Sequence, residues 1–234
     1  MIDMSAWHAL TAELHAGFLT MSFVCIMAVA LAQIAVRLRR WMPKILVSWA
    51  VKTRGYFEAA GLVGAVLGIL GLLLSAWTGM YAWPYDVLIN DPIVRNKIML
   101  SAFATVMWTG VVFIRSRFGR GLWTCSPMAA LYVALTFVSF GLLGTTGSMG
   151  AHITKGGSAM DPIWNFVGFE VTSDLILNSN IAALVAIVSM GALVLSLFVA
   201  KRYDLFQVKL EAATCQRLFK WDEPRIEYEM PAKK

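Results

Sequence analysis

The chain has 234 residues, of which 59% are hydrophobic and only 15% are charged, and its mean hydropathy is +0.67. This composition excludes an ordinary soluble domain, in which about 25% of residues are charged. The net charge of +6 does not indicate nucleic-acid binding, because the basic residues are not gathered into a stripe that could follow a phosphate backbone. The balance of residues instead predicts that lipid is the solvent of most of the chain.

Five uninterrupted apolar runs are long enough to cross about 30 Å of hydrocarbon as helices. Strands are excluded because the runs do not alternate in polarity, and because an open sheet edge cannot be satisfied in lipid. The sequence therefore predicts an all-α, polytopic transmembrane bundle in residues 1–200 and an amphipathic cytoplasmic tail in residues 201–234. The five predicted spans cover residues 14–36, 57–79, 98–114, 127–149 and 181–200.

The distribution of cations predicts how these spans are oriented. The connection 37–54 holds six Lys and Arg, the connection 115–120 holds three and the tail holds eight, which places 17 of the 20 cations on one side. The exceptions are Arg95, Lys97 and Lys155. Since cytoplasmic connections carry the excess of Lys and Arg, the N-terminus is expected outside and the C-terminus inside. The expected location is the cytoplasmic (inner) membrane of a bacterium or archaeon.

All three histidines of the chain fall on the predicted outer side. His8 and His15 are seven residues apart, which places them two turns apart on one helix face, and His152 follows the fourth span. Neutral imidazoles facing each other across a bundle are suitable axial ligands for a b-type haem. We therefore predict one haem b near the outer face, bound by His15 and His152. Hydrogen bonding at the interface, or contact with a partner subunit, is the alternative interpretation of these side chains.

Glycines recur along two of the predicted spans. A missing side chain allows either close helix packing or the approach of a flat macrocycle to the backbone. For the second span, close packing is the favoured interpretation; in the fourth span, Gly144 and Gly147 are predicted to lie beside the haem. The stripe in span two consists of Gly61, Gly64, Gly68 and Gly71, and the fourth span and its end carry Gly141, Gly144, Gly147 and Gly150.

A copper or zinc site is a weaker alternative for the same histidines. His8, His15 and His152 could bind a metal together with Asp161 or Glu170, because imidazole and carboxylate are suitable ligand types. The spacing of these residues matches no compact metal motif, however. Haem therefore ranks above a bare metal ion.

Other catalytic chemistry has no counterpart in the sequence. There is no nucleophile with an adjacent base, no phosphate-binding loop and no paired carboxylates. Covalent haem is excluded because the chain lacks a CxxCH motif. The scattered cysteines are expected to be free thiols: Cys25, Cys125 and Cys215.

Residues 15–157 resemble the DUF2231-type membrane proteins, a four-helix family whose members look haem-associated. The resemblance rests on a histidine that opens span one, the stretch TGMYAWPYD that closes span two, and GTTGSMGAHITKGG at the end of span four. Such proteins tend to have a closely spaced histidine pair at the start and another in the third span. In this chain the first pair is wider, and the third span has no histidine. The resemblance therefore implies at most one haem here, because three histidines cannot supply four axial positions.

Two functions follow as expectations. The first is a membrane electron-transfer subunit that relays electrons through one b-type haem between a membrane quinone or another subunit and an outer redox protein. The second is a cofactor-free accessory subunit of a larger respiratory, photosynthetic or oxidase complex, in which other membrane subunits and the lipid bilayer are the partners. In either case the chain is expected to belong to a membrane complex and not to act as an enzyme on its own.

Overall fold

A computed structural model describes residues 3–173 together with Phe198 and Arg202. Residues 3–173 form helices joined by short turns and contain no strand, which confirms the all-helical prediction for this part of the chain. The helices are α1 (Met4–Arg37), α2 (Lys44–Ala82), α3 (Tyr85–Asn90), α4 (Pro92–Phe118), α5 (Ser126–Lys155) and α6 (Asp161–Val167), with a 3-10 helix at Gly119–Thr124. The predicted fifth span and the tail lie outside the described residues, apart from Phe198 and Arg202.

Four of the helices, α1, α2, α4 and α5, are long and apolar enough to cross a membrane, as expected of an integral membrane protein. Each contains one of the first four predicted spans, and each extends beyond it at both ends. The longest, α2, has 39 residues and is therefore about 58 Å long at 1.5 Å per residue. This length exceeds the roughly 30 Å of the hydrocarbon core.

The ends of the helices follow from local chemistry. The Asp3 carboxylate accepts a hydrogen bond from Ser5 N at 3.0 Å and so caps the start of α1. The Asp91 carboxylate does the same for α4, with Ile93 N at 2.8 Å. Helix α5 ends at Gly156, whose φ of 74° belongs to the left-handed region that glycine adopts without strain.

The four long helices form an antiparallel bundle in which each packs against two others, in the ring order α1, α2, α4, α5. Its centre contains fully buried apolar side chains such as Leu19, Val29 and Trp108. Across the α1–α5 contact, the rings of Phe23 and Phe140 stack with centroids 4.0 Å apart. The bundle thus has one continuous core between its two ends.

Close packing of α1 on α2 explains the glycine stripe of the second span. A β-carbon placed on Gly61 would lie 3.3 Å from Cys25 Cβ, and one on Gly64 would lie 3.0 Å from the Phe18 carbonyl oxygen. The Ser22 hydroxyl donates a 2.7 Å hydrogen bond to the Gly61 carbonyl oxygen. The interpretation of this stripe as a packing surface is therefore confirmed.

The cysteines differ from one another. Cys25 is a buried free thiol between α1 and α2, as expected. Cys125, which follows the 3-10 helix, is disulfide-bonded. The prediction that the cysteines are free thiols is therefore wrong for Cys125, because scattered sequence positions do not reveal which thiols the fold brings together.

Candidate functional site

The chemistry of the bundle is concentrated at its two ends. We call the end that holds the start of α1 and the end of α2 the histidine end, and the opposite end, around Glu58, the glutamate end. The charge distribution of the sequence predicts that the histidine end faces outward. Each end has its own set of polar contacts.

His8 and His15 both contact α2, so the prediction that they share one helix face is confirmed. The imidazole of His8 lies over Gly79, where an added β-carbon would lie 3.0 Å from His8 Cε1. His15 lies over Gly71 in the same way, with 2.8 Å between its Cβ and the added atom. Two glycines of α2 thus make room for the two histidines.

Both imidazoles form their hydrogen bond through Nδ1, so Nε2 is the ring nitrogen that can bind a ligand or a proton. His8 Nδ1 is 2.9 Å from the Ser75 carbonyl oxygen, and His15 Nδ1 is 2.9 Å from the Thr11 carbonyl oxygen. A carbonyl oxygen only accepts hydrogen bonds, so Nδ1 carries the proton and Nε2 carries the lone pair in the neutral ring. This is the arrangement that orients an imidazole for ligand or proton binding through Nε2.

Lys97 of α4 lies at the same end of the bundle as the two histidines. Its side chain lies across Gly150 of α5, where an added β-carbon would lie 2.9 Å from Lys97 Nζ. Within residues 3–173, no carboxylate forms an ion pair with it.

His152 is directed to a different partner. Its Nε2 atom is 2.9 Å from Asp161 Oδ1, and Asp161 Oδ2 accepts a 2.8 Å hydrogen bond from Ser158 N. These bonds hold the turn between α5 and α6. Within the described part of the chain, no hydrogen bond joins His152 to His15.

The pKa of Asp161 is held below its ordinary value, first by the hydrogen bond from the Ser158 backbone and then by the imidazole of His152. A lowered pKa means that the ionised form of the Asp161 carboxyl group is favoured more in the folded protein than in the unfolded chain. The resulting stabilisation is present above the ordinary carboxyl pKa of about 3.8 and is lost as the pH falls through the lower folded value.

The fourth-span glycines lie in two different environments. Gly144 is covered by residues 158–169, which include α6 and which we call the outer segment after the side predicted for them; Met160 Cε lies 3.6 Å and Trp164 Cζ2 3.8 Å from an added β-carbon. The indole of Trp164 also donates a 2.9 Å hydrogen bond to the Ser148 hydroxyl. Gly147, in contrast, is exposed on the outside of the bundle and meets no atom within 4 Å. The two glycines predicted beside the haem therefore do not line one common cavity.

The predicted ligands are thus divided between two places. His8 and His15 face α2, whereas His152 faces Asp161. No group of three His, Cys, Asp or Glu side chains within the described residues is placed to bind a metal ion. Of the copper or zinc set proposed from the sequence, hydrogen bonding within the described residues joins His152 to Asp161, but neither His8 nor His15 to them.

A buried charge network at the glutamate end joins three helices. Glu58 Oε1 is 3.4 Å from Arg54 Nε on the same helix, and Glu58 Oε2 is 3.2 Å from a terminal nitrogen of Arg115 on α4. Arg54 also donates to Gln33 Oε1 of α1 at 2.8 Å, and Gln33 Nε2 donates to the Trp123 carbonyl oxygen at 3.2 Å. The network therefore ties α1, α2, α4 and the 3-10 helix together.

Sequence reasoning did not find this network or the position of Lys97, although both left a signal. Glu58 is the only acidic residue between Glu13 and Asp86, and it follows a cluster of cations. Lys97 is one of the three cations on the predicted outer side. A lone charge that departs from its surroundings marks a position at which a partner in the fold should be sought.

No protein-family model, curated protein or solved structure matched the chain. The resemblance to the DUF2231-type proteins thus rests on its short motifs and stays a prediction.

Asp161→Asn should loosen the turn between α5 and α6, because the amide keeps the shape of the carboxylate but loses its charge and one acceptor. The exposed Lys155–Gly156 bond should then be cleaved faster by trypsin at pH 7 than in the native protein. Its matched control is Asp86→Asn on the exposed helix α3 at the same end of the bundle, which should leave that cleavage unchanged. The difference in thermal stability between native protein and Asp161→Asn should also shrink from pH 7 to pH 3. Equal cleavage rates in all three proteins would contradict the role given to Asp161.

Proposed function

We propose that the chain is a five-span protein of a bacterial or archaeal inner membrane, with the N-terminus outside and the C-terminus in the cytoplasm. The four long apolar helices and the one-sided distribution of cations support this proposal. The disulfide at Cys125 is an argument for the reverse orientation, because disulfides persist mainly in oxidising compartments.

Alkaline phosphatase fused after Pro84 should be active, and fused after Arg117 inactive. The opposite pattern would refute the orientation.

Within that membrane, we propose that the chain is an accessory subunit of a larger respiratory, photosynthetic or oxidase complex. The observation that carries this proposal is that charged side chains at both ends of the bundle hold neighbouring elements of the fold together. Glu58 and its two arginines join helices at the glutamate end, and His152 and Asp161 fix the outer segment at the other. Polar groups used in this way favour a rigid scaffold over a catalytic chamber.

The outer segment provides a surface for a partner subunit. In α6, Ile163, Phe166 and Val167 are exposed, and the Phe166 side chain reaches 91% exposure. The same short helix is anchored underneath by Trp164 and Asp161. An apolar groove of about 480 Å³ adjoins it, lined by residues of α4, α5 and the outer segment. A fixed apolar surface of this kind is typical of a protein–protein contact.

Purification in a mild detergent tests this function. The native protein should elute with the same stoichiometric set of membrane subunits in repeated preparations. Phe166→Glu should release them, because it places a charge in an apolar contact. Tyr85→Glu is the matched control, since Tyr85 is also an exposed aromatic residue, on α3 at the same end of the bundle, and this change should leave the complex intact. A native protein that elutes alone, or a complex unaffected by Phe166→Glu, would refute the proposal.

Electron transfer through a single b-type haem is the second candidate, and one observation favours it. The Nδ1 atom of His15 binds the Thr11 carbonyl oxygen, which orients Nε2 as an axial ligand requires. A bis-histidine site fits less well, because His152 Nε2 binds Asp161 and because His8 lies on the same face of the same helix as His15. A bound haem would supply one-electron transfer between a quinone and an outer redox protein.

A pyridine haemochrome spectrum of the purified protein separates the two candidates. Electron transfer predicts a b-type haem band that His15→Ala removes. With His152 engaged by Asp161, His152→Ala should leave that band in place. A preparation that retains its partner subunits but shows no haem band would refute electron transfer through haem and leave the accessory function as the remaining candidate.

A further inference from the structure

The first third of α2 carries two aromatic side chains and a lysine that are exposed together. Trp49, Lys52 and Tyr56 are spaced by three and four residues, which places them on one face of the helix. Trp49 is 58% exposed and Tyr56 is 79% exposed, and Lys52 is exposed between them. We call these three residues the α2 stripe.

The α2 stripe faces away from the rest of the bundle. The opposite face of the same helix carries Ala50, Arg54 and Glu58, because successive residues of a helix are rotated by about 100°. Ala50 is the only buried residue in the range 38–56, and Arg54 and Glu58 bind side chains of α1 and α4. The stripe is therefore open to whatever surrounds the bundle at the glutamate end.

The α2 stripe begins where the hydrocarbon is expected to end. Exposed aromatic residues of α2 form two groups, Trp77 with Tyr81 near the histidine end and Trp49 with Tyr56 near the glutamate end. Trp77 and Tyr56 are 21 residues apart, which is about 32 Å along a helix and close to the roughly 30 Å of hydrocarbon. Such rings favour the two membrane boundaries. Lys52, about 6 Å beyond Tyr56, then lies at the level of the lipid headgroups.

Only one of these two aromatic groups has a basic environment. Residues 37–56 contain six Lys and Arg and no Asp or Glu. Lys44 and Lys52 are exposed on α2, and no carboxylate within residues 3–173 forms an ion pair with either of them. The aromatic group at the histidine end is instead followed by Asp86 and Asp91 before the next cation. The charge at the α2 stripe is therefore complementary to an anionic surface.

We propose that the α2 stripe binds the headgroups of anionic phospholipids in the leaflet at the glutamate end. Lys52 supplies a positive charge and three donors for a lipid phosphate. Trp49 and Tyr56 flank it with rings that suit the boundary between headgroups and hydrocarbon. The cations of the preceding turn add to the attraction for a negatively charged surface. This proposal goes beyond the accessory function and holds for either orientation of the bundle in the membrane.

The test uses the full-length protein in phosphatidylcholine nanodiscs that contain a small fraction of phosphatidylglycerol with a photoreactive headgroup. After illumination and digestion with trypsin, the label should lie on residues 45–54, which contain Trp49 and Lys52. Added phosphatidylglycerol should compete with the probe, and added phosphatidylcholine should not, because its headgroup has no net charge. High salt concentration should weaken the labelling, since the contact is largely electrostatic.

Two substitutions with matched controls test the residues of the stripe. Lys52→Gln should lower the labelling of residues 45–54 by about fivefold, as expected for the loss of one cation at an anionic surface. Trp49→Ala should lower it as well. The controls are Lys155→Gln, at an exposed lysine of α5, and Trp77→Ala, at a tryptophan that is also 58% exposed and in edge contact with one aromatic ring. Both controls should be labelled like the native protein.

Three results would overturn the proposal: a label found mainly on other segments, equal competition by the two lipids, or equal labelling of Lys52→Gln and Lys155→Gln. If Trp49→Ala released a subunit from the complex while its lipid labelling stayed unchanged, the stripe would be a protein contact and the proposal would be overturned as well. The substituted side chains are exposed, so the variants should fold. Retention of subunits by the native protein is a separate measurement, so failure of lipid binding leaves the accessory function standing.

Discussion

Glu58→Ala should lower the free energy of unfolding by about 3–5 kcal/mol, which is the usual cost of breaking a buried ion pair by removing one partner. The Glu58 side chain is only 5% exposed, and those of Arg54 and Arg115 are 21% and 12% exposed. Without the carboxylate, two guanidinium groups would lie close together in a poorly hydrated region. The Nε atom of Arg115 is already buried and has no hydrogen-bond partner within residues 3–173, so this arginine depends strongly on its contact with Glu58.

Reversible unfolding in mixed detergent micelles, followed by circular dichroism, measures this loss. Glu13→Ala is the matched control, because Glu13 is an exposed carboxylate on α1 and its removal should change stability by less than about 0.5 kcal/mol. Glu58→Gln should fall between the two, since the amide oxygen still accepts a hydrogen bond but carries no charge. If Glu58→Ala were as stable as Glu13→Ala, the network could not be what joins the helices at that end.

Gly71→Ala should destabilise the bundle by about 1–3 kcal/mol, which is typical of overpacking a filled interior. The new methyl group would lie 2.8 Å from His15 Cβ and 3.2 Å from His15 Cα. Because these atoms belong to the base of the side chain and the backbone, a rotamer change cannot relieve the contact. Helix α1 would have to move away from α2.

Gly17→Ala is the control for this substitution. Gly17 lies on α1, and an added β-carbon there meets no atom within 4 Å. Alanine should therefore be neutral or stabilising by up to about 1 kcal/mol, since it has the higher helix propensity. The same unfolding assay compares the two variants. Equal stability of Gly71→Ala and the native protein would show that α1 and α2 are not closely packed at His15.

Much of this architecture could be predicted because it depends on properties that a linear sequence carries. Long apolar runs located the centres of the four described spans, and the spacing of small residues on α2 identified its contact with α1. The seven-residue separation of His8 and His15 placed them on one face. The predicted spans covered only the apolar part of each helix; α2, for example, begins at Lys44, ahead of the apolar run that begins at residue 57.

The candidate site could not be predicted as fully, because it depends on how each helix is rotated about its axis. His152 was expected to face His15, but the rotation of α5 directs it to Asp161 nine residues later in the chain. Lys97 was counted only as a loop cation, and its place across Gly150 follows from the packing of α4 on α5. The sequence does not show that Glu58 pairs with Arg115, because the two residues are 57 positions apart. Such contacts are properties of the packed bundle.

The length of α2 has a mechanical consequence. With α1 packed along it from the His8 contact to the Gln33 contact, the pair forms a stiff double rod that reaches well beyond the hydrocarbon on at least one side. A rod about 58 Å long that pivots by roughly 5° about its middle moves each end by about 2.5 Å, half the height of one helical turn. A sideways movement of the α2 end that carries Gly79 would therefore displace the α2 end that carries Arg54, on the other face of the membrane.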